Sequence, residues 1–369
     1  RLEDAAGRVL AAPALADRDY PPLARSVRDG FAVRAAGFRG SAQVVGEVRA
    51  GEVFAGVVGD GEAVEIMTGA PVPEGADAVI MVEHVTRDGA AIRTDREVAA
   101  GDFVNPRGAE ARRGDTLLEP GRRLGFADVA LLASIGMTET PVFERPRVAI
   151  LSTGDEIVPV EAPPLDHQIR NSNAWSLAVQ VARAGGVPVV LPVARDEAGD
   201  TRARILEGLA GCELLLLSGG VSAGKYDVVE RVLAELGAEF FFDRVLIQPG
   251  QPLVFGRAAE KFFFGLPGNP ASTMVTFEVF ARAAVERLGG QRDVGLPILQ
   301  TRLAAPFRHK PGLTRFLPAR LSADGGSLTP TGWAGSGDIA AMARANAWLV
   351  ADPDRAEYAA GDTIGVLVP

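Results

Sequence analysis

From Pro146 onward the chain alternates two textures, and this alternation limits its fold more than any other feature. The runs "RVAILSTGDE", "VPVVLPVARD", "CELLLLSGG" and "FFFGLPGNP" are apolar strands that end in turn residues. With them alternate "NAWSLAVQVARAGG", "DTRARILEGLAG", "YDVVERVLAELG" and "ASTMVTFEVFARAAVERLGG", whose apolar residues recur at helical spacing. Strand–helix alternation of this kind predicts right-handed βαβ units, hence a parallel sheet with helices on both faces. Such sheets bind ligands outside the carboxyl ends of their strands. Here those ends read Ser-Thr-Gly-Asp-Glu, Arg-Asp, Ser-Gly-Gly and Leu-Pro-Gly-Asn-Pro, which gathers polar and glycine-rich residues where a site would form.

The rest of the chain has a different rhythm. Residues 1–12 read as the end of a helix, and because the phrase begins in its middle, at Arg1, the natural chain is expected to start earlier. From there to about Asn105, short runs such as "AVEIM", "AVIMVEHV" and "AAIRT" are separated by Gly, Pro and Asp turns, a β pattern. "FADVALLASIG" predicts a short helix that ends in glycine. After "GLPILQ" the runs "TRFLPARL", "AWLVADP" and "DTIGVLVP" predict a small β domain.

Composition excludes several functions. A formal net charge of −9 argues against a general nucleic-acid binder, so an anionic ligand must be held by local groups. The single cysteine, Cys212, rules out internal disulfides and cysteine-cluster metal sites, and fits a reducing, cytoplasmic setting. His84, His167 and His309 are widely spaced, so metal chemistry here is expected to be carboxylate-held magnesium and not zinc. No apolar run approaches the roughly 20 residues of a membrane span.

Six stretches carry candidate chemistry. From Gly219 the sequence reads G-x-x-x-x-G-K, the start of a P-loop, but Tyr226 stands where that motif needs Ser or Thr. Gly219, Gly220 and Gly224 allow close approach to an anion, Ser222 offers a hydroxyl, and Asp227 could hold magnesium or cap the next helix. In "AILSTGDEIV" Asp155 and Glu156 leave a strand end after Ser152 and Thr153, as cation ligands or as solvated acids of a turn. Asp29-Gly30 is by local pattern a hairpin turn, and Thr68 and Gly69 precede a loop stiffened by Pro71 and Pro73. Arg107, Arg112 and Arg113 gather beside Glu110, suited to a polyanion or to solvent. "GLPGNPAST" ends a strand and opens a helix with Ser272 near its N-terminus, a second place ready for an anion.

Taken in order, "SVRDGFAV", "IMTGAPVPEGADAVIMVE", "RGAEARRGD", "ILSTGDEIV", "LLSGGVSAGKYDVV", "QPGQPLVFG" and "LPGNPAST" closely resemble the molybdopterin molybdenumtransferase family, MoeA and the gephyrin E domain. The resemblance spans most of the chain. It implies an α/β multidomain protein whose doubly wound parallel-sheet domain, of molybdopterin-binding type, covers 146–294. The other implied parts are a small helical domain in two segments (1–16 and 108–145), an inserted β domain (17–107) and a C-terminal β barrel (295–369). It further implies a cytoplasmic homodimer, with each site between the doubly wound domain of one subunit and the inserted domain of the other. The implied reaction inserts molybdate into adenylylated molybdopterin, with Mg2+, and releases AMP. Neither nucleic acid nor membrane is an expected partner, and transient contact with a molybdopterin adenylyltransferase is.

Carried over by position, the resemblance assigns catalytic roles to Asp29, Thr68, Glu110, Glu156, Asp196 and Asp227, with Asp227 and Glu156 at the metal. Substrate would be bound by Ser218, Gly219, Gly220, Ser222, Gly224, Pro267, Asn269, Pro270, Ser272, Gln248 and Gln251. One departure stands out. Relatives often show Lys-Pro-Gly-Lys-Pro where this chain has Gln248-Pro-Gly-Gln251-Pro252, which keeps hydrogen-bond donors but loses charge toward an oxyanion. Arg315, Arg320, Lys310 and Lys225 are candidates to restore it. Two other functions share these motifs: a molybdopterin adenylyltransferase, and a non-catalytic pterin-binding paralogue or scaffold.

Overall fold

The computed structural model describes residues 1–220 and 228–369. The chain divides into two compact units. The first comprises Arg1–Ala6, Ala12–Pro120 and Gly125–Thr140, and the second Gly7–Ala11, Gly121–Leu124 and Pro141–Pro369.

The first unit is built on strands β1 (Gly30–Val33), β2 (Ser41–Val48), β3 (Glu62–Ile66), β4 (Ala78–Met81), β5 (Thr86–Asp88) and β6 (Ala91–Arg93). They form a six-stranded sheet in the order β4-β1-β3-β2-β6-β5. All of β1 is buried because both of its faces are covered: Phe31 and Val33 pack with Ile80 and Ile92, and Ala32 with Val64, Ile66 and Val79. Asp29-Gly30 is therefore not a hairpin turn. Gly30 lies in the sheet beside β3 and β4, where an added Cβ would fall 1.9 Å from the Ile80 carbonyl oxygen. Close backbone approach, not turn formation, is what requires this glycine. Residues 1–12 also depart from the expected helix end. A single 3-10 turn, Leu2–Asp4, is followed by Gly7 at φ 76, a left-handed conformation that ends any helical run. Helix α1 (Phe126–Ser134) stands where the periodicity places it.

The second unit holds the predicted alternation: β7 (Arg147–Ser152), α2 (Ser172–Arg183), β8 (Val187–Val190), α3 (Ala198–Gly211), β9 (Leu214–Ser218), α4 (Val228–Glu235), β10 (Glu239–Arg244), β11 (Pro252–Ala258), β12 (Lys261–Leu266), α5 (Pro270–Thr276) and α6 (Arg282–Leu288), the last two joined by one π-helical turn at Phe277–Ala281. The sheet order is β8-β7-β9-β12-β11-β10. Strands β8, β7, β9 and β12 are parallel, and β11 and β10 extend the sheet antiparallel at one edge. Phenylalanines line that extension, with the rings of Phe255 and Phe264 stacked 4.5 Å apart.

Strand β9 shows why the parallel core forms. Leu214, Leu215, Leu216 and Leu217 are each no more than 1% exposed. With a period of two, Leu215 and Leu217 face the cluster of α3 and α4 (Ile205, Leu209, Val232), while Leu214 and Leu216 face Leu177, Val181, Phe277 and Val285. Each such side chain contributes about 1.5–3 kcal/mol by leaving water.

The chain ends in β13 (Leu299–Leu303), β14 (Thr314–Leu321), β15 (Ser327–Pro330), α7 (Ile339–Arg344), β16 (Ala347–Ala351) and β17 (Thr363–Leu367). Their ladder runs β14-β15-β13-β17-β16 and closes through β16 on β14, a five-stranded barrel. Ile247, Ala271, Val275, Phe316, Trp348 and Leu367 form one apolar cluster that joins the barrel to α5.

Candidate active site

The first crossover goes from β7 to β8 on one side, and the chain then returns to β9 on the other. The switch point therefore falls between β7 and β9, at their carboxyl ends, where doubly wound sheets open a crevice. A cleft of about 730 Å³ lies there. Thr153, Gly154 and Glu156 reach it from the end of β7, Asp196 from beyond β8, Ser218–Gly220 from β9, and Pro267–Asn269 from β12.

Local geometry explains how each wall is held. Gly219 adopts φ 88, and a Cβ on it would sit 2.8 Å from the Thr153 carbonyl oxygen. Its N–H donates to the Leu266 carbonyl (3.2 Å), so its contribution is the missing side chain and not a free donor. The Thr153 N–H donates to the Ser218 carbonyl at 3.1 Å, which locks the ends of β7 and β9 together. Asn171 caps α2: its Oδ1 accepts from the Ala174 N–H (3.1 Å) and from Ser152 Oγ (2.9 Å). That cap fixes the next turn, in which Asn173 Nδ2 donates to Ser218 Oγ at 2.8 Å and to the Gly268 carbonyl at 2.7 Å. Asn173 lines the cleft although it is 6% exposed, and sequence reasoning missed it. The available signal was the pair of asparagines in "NSN", of which only one is needed as a cap.

Glu156 and Asp196 are exposed carboxylates on this one cleft. Their loops are tied together, since the Asp196 N–H donates to Asp155 Oδ1 (3.2 Å) and the Gly154 N–H to the Ala194 carbonyl (3.2 Å). Among the described residues neither carboxylate pairs with a cation, and no group of three or more metal-ligating side chains forms. Two unpaired carboxylates suit magnesium, which takes one or two of them and completes its shell with water and phosphate oxygens. Ser222, Gly224 and Asp227, with Lys225, lie outside the described residues.

The Gln248–Pro252 segment meets α5. A Cβ on Gly250 (φ 107) would fall 2.4 Å from Thr276 Cγ2 and 3.5 Å from the Ser272 carbonyl oxygen. Ser272 is 4% exposed in the first turns of α5, which Pro270 opens. In that turn the Ala271 N–H is taken by the Ser336 carbonyl (2.9 Å), so the helix start is partly satisfied from within. Gln248 pairs in parallel register with Arg315. Arg315 is half-buried, its Nε has no hydrogen-bond partner, and among the described residues no carboxylate pairs with it. Arg320 is five positions further along β14, exposed and on the opposite strand face, and Lys310 is exposed.

Three sequence candidates belong to the first unit. Asp29 Oδ1 accepts from the Thr68 N–H (2.6 Å) and from Thr68 Oγ1 (2.7 Å). These bonds, the backbone one first, hold the Asp29 carboxyl below its ordinary pKa, so it stays ionised. Glu110 Oε1 accepts from Asn105 Nδ2 at 2.9 Å. Arg107 pairs with Asp19 (2.7 Å) and not with Glu110.

A doubly wound domain with a carboxylate-flanked, glycine-walled cleft at its switch point, followed by a barrel, places the chain among α/β proteins built to take a ligand at the carboxyl ends of their strands. Comparison with known proteins gives the family. Residues 1–136 match the MoeA N-terminal region (domain I and II), 149–287 a probable molybdopterin binding domain, and 300–368 the MoeA C-terminal region (domain IV). A molybdopterin molybdenumtransferase of Bacillus subtilis is 33% identical over all of this chain and 88% of its own length. One from Nostoc is 35% identical over 77% of this chain and 67% of its own. The solved molybdopterin biosynthesis MoeA protein of Pyrococcus horikoshii superposes with a TM-score of 0.84 at 27% identity, covering 100% of this chain and 93% of that one. The chain belongs to the molybdopterin molybdenumtransferase family.

Proposed function

We propose that this protein acts in molybdenum cofactor biosynthesis by inserting molybdate into the dithiolene of adenylylated molybdopterin, with release of AMP. The observation that carries the reading is the cleft at the β7/β9 switch point, where Glu156 and Asp196 face Ser218–Gly220 and Pro267–Asn269. Glu156 and Asp196 would hold magnesium, with Asp227 assigned to it by the resemblance. When bound, the ion would offset pyrophosphate charge and polarise the phosphorus that loses AMP. The chain's own residues do the positioning. Gly219 and Gly268 line the cleft without side chains, and at Gly219 none fits, since a Cβ there would fall 2.8 Å from the Thr153 carbonyl oxygen. Asn269 makes no side-chain cap to α5, which leaves its amide for the ligand.

For the oxyanion we propose the place where the Gln248–Gln251 turn meets Ser272 and Arg315. Arg315 stands beside Gln248 in the ladder and, among the described residues, no carboxylate neutralises it, so it supplies the cation that the glutamines lack. Asp29, fixed as an anion by Thr68, serves as a fixed charge and not as a proton donor. The proposal includes a homodimer, the division into 1–16 with 108–145, 17–107, 146–294 and 295–369, and transient contact with an adenylyltransferase. Matches across 1–136 and 300–368 favour the transferase over a stand-alone adenylyltransferase. The test is incubation with adenylylated molybdopterin, magnesium and molybdate, with AMP quantified. Molybdate-dependent AMP release is expected, whereas substrate that binds and stays adenylylated would contradict the proposal.

A further inference from the structure

The β9/β12 ladder ends at the pair Ser218–Leu266, and the cleft walls Ser218–Gly220 and Pro267–Asn269 begin there. The second wall is held by its carbonyls. The Thr273 hydroxyl donates to that of Pro267 (2.6 Å) and the Thr273 N–H to that of Asn269 (3.0 Å), so α5 secures its own approach. The carbonyl between them, on Gly268, is held from a different element. Asn173, in the first turn of α2 and 6% exposed, donates to it through Nδ2 at 2.7 Å and to Ser218 Oγ at 2.8 Å. A single amide group thus ties the end of β9 to the turn after β12. The Gly268–Asn269 peptide is trans, so holding its carbonyl also fixes the Asn269 N–H on the opposite side of the plane.

We infer that Asn173 is a positioning residue for the proposed reaction, acting through Ser218 and the Gly268–Asn269 peptide and not by contact with the substrate. Thr273 belongs to the same segment as the carbonyls it holds, so it shapes that turn but does not set its distance from β9. Asn173 reaches both walls from a third element and does set it. Gly268 has no side chain to restrict its dihedrals, so without this bond the peptide is free to turn. The wall would then lose its spacing and its tilt together, and a bound phosphate group would shift relative to Glu156 and Asp196 on the same cleft. The inference rests on the proposed function, which it deepens.

The test compares Asn173→Ser, Asn173→Asp and Gly237→Ala with the native chain by AMP release from adenylylated molybdopterin with magnesium and molybdate, at a temperature where each stays folded. Gly237→Ala lowers the stability of the same unit away from the cleft and is expected to keep the native kcat/KM. The Asn173→Ser side chain is too short to reach both partners, and kcat/KM should fall about ten- to a hundredfold at every pH. Asn173→Asp keeps the shape of the side chain. Ionised, it has no proton for the Gly268 carbonyl; protonated, its hydroxyl donates there again. Its kcat/KM relative to native should therefore be lowest at high pH and rise above that of Asn173→Ser as pH falls through the pKa of the new carboxyl. Glu156 and Asp196 titrate in both proteins and cancel in that ratio. A merely structural loss would not recover with acid. The inference is overturned if Asn173→Ser matches native, if Gly237→Ala loses as much, or if Asn173→Asp shows no recovery. A native protein that releases no AMP would refute the proposed reaction instead. The same ratios are then read from AMP affinity by calorimetry, where absence of binding would overturn the inference as well.

Discussion

Gly219→Ala tests the backbone geometry of the cleft, and its cost can be worked from the structure. The residue holds φ 88, a left-handed conformation that costs an alanine about 1–2 kcal/mol. Its new Cβ would also sit 2.8 Å from the Thr153 carbonyl oxygen and 3.4 Å from Thr153 Oγ1. Overlap with backbone that cannot swing away adds about 1–3 kcal/mol. Gly237 is the matched control, in the same unit, at φ 75 and with nothing within 4 Å of its added Cβ. Gly237→Ala should therefore cost only the conformational share, about 1–2 kcal/mol. Trp175, Trp333 and Trp348, all the tryptophans of the chain, lie in the second unit, so their fluorescence follows its unfolding alone. For a unit of this size each kcal/mol lowers the melting temperature by about 2–4 °C. Gly219→Ala is expected to melt about 4–20 °C below the native protein and Gly237→Ala about 2–8 °C below, with the larger drop always in Gly219→Ala. Equal shifts in the two variants would refute the close approach of β7 and β9 on which the cleft depends.

Four further outcomes follow. Arg315→Gln should weaken molybdate binding about tenfold by calorimetry, with Gln248→Lys recovering part of it, and an unchanged titration would remove Arg315 from the oxyanion site. Arg282→Met removes the cation held between the buried carboxylates of Glu278 (2.7 Å) and Glu286 (2.8 Å) and leaves both without a counter-charge from it. Its denaturant midpoint should fall by an equivalent of about 3–5 kcal/mol, and no shift would show that the network carries no weight. Because the Asp29 carboxyl is held low by Thr68, its contribution is present above the unfolded pKa and is lost as pH falls through the folded one. The stability difference between native and Asp29→Asn should thus be seen at neutral pH and vanish in strong acid, and a pH-independent difference would contradict this. Chelation of magnesium should abolish AMP release and leave the melting curve in place, whereas release that persists would exclude the carboxylate-held ion.

What could be read in advance, and what could not, has physical causes. Four consecutive leucines at Leu214–Leu217 bounded by Glu213 and the Ser-Gly-Gly end leave a buried strand as the reasonable outcome, and the glycine-rich strand ends mark the cleft because polar residues collect only where the sheet opens. Gly30 misled because Asp-Gly has the same appearance in a turn and in a strand pressed against a carbonyl, and only the neighbouring strand, β4, tells them apart. The antiparallel strand β10 escaped because "EFFFDR" sets three phenylalanines in a row and offers no polar–apolar alternation to read. Asn173 escaped for a related reason. Two asparagines at a helix start are equally good caps on paper, and it is the turn set by Asn171 that leaves Asn173 to face Ser218 and Gly268. Arg315 became informative only once the ladder placed it against Gln248, 67 positions earlier in the chain.

The most direct test is a crystal structure of this protein soaked with adenylylated molybdopterin and magnesium. The account predicts density for the ligand within the β7/β9 cleft, with its phosphates beside Glu156 and Asp196. Ligand seated elsewhere, with that cleft holding only solvent, would contradict it.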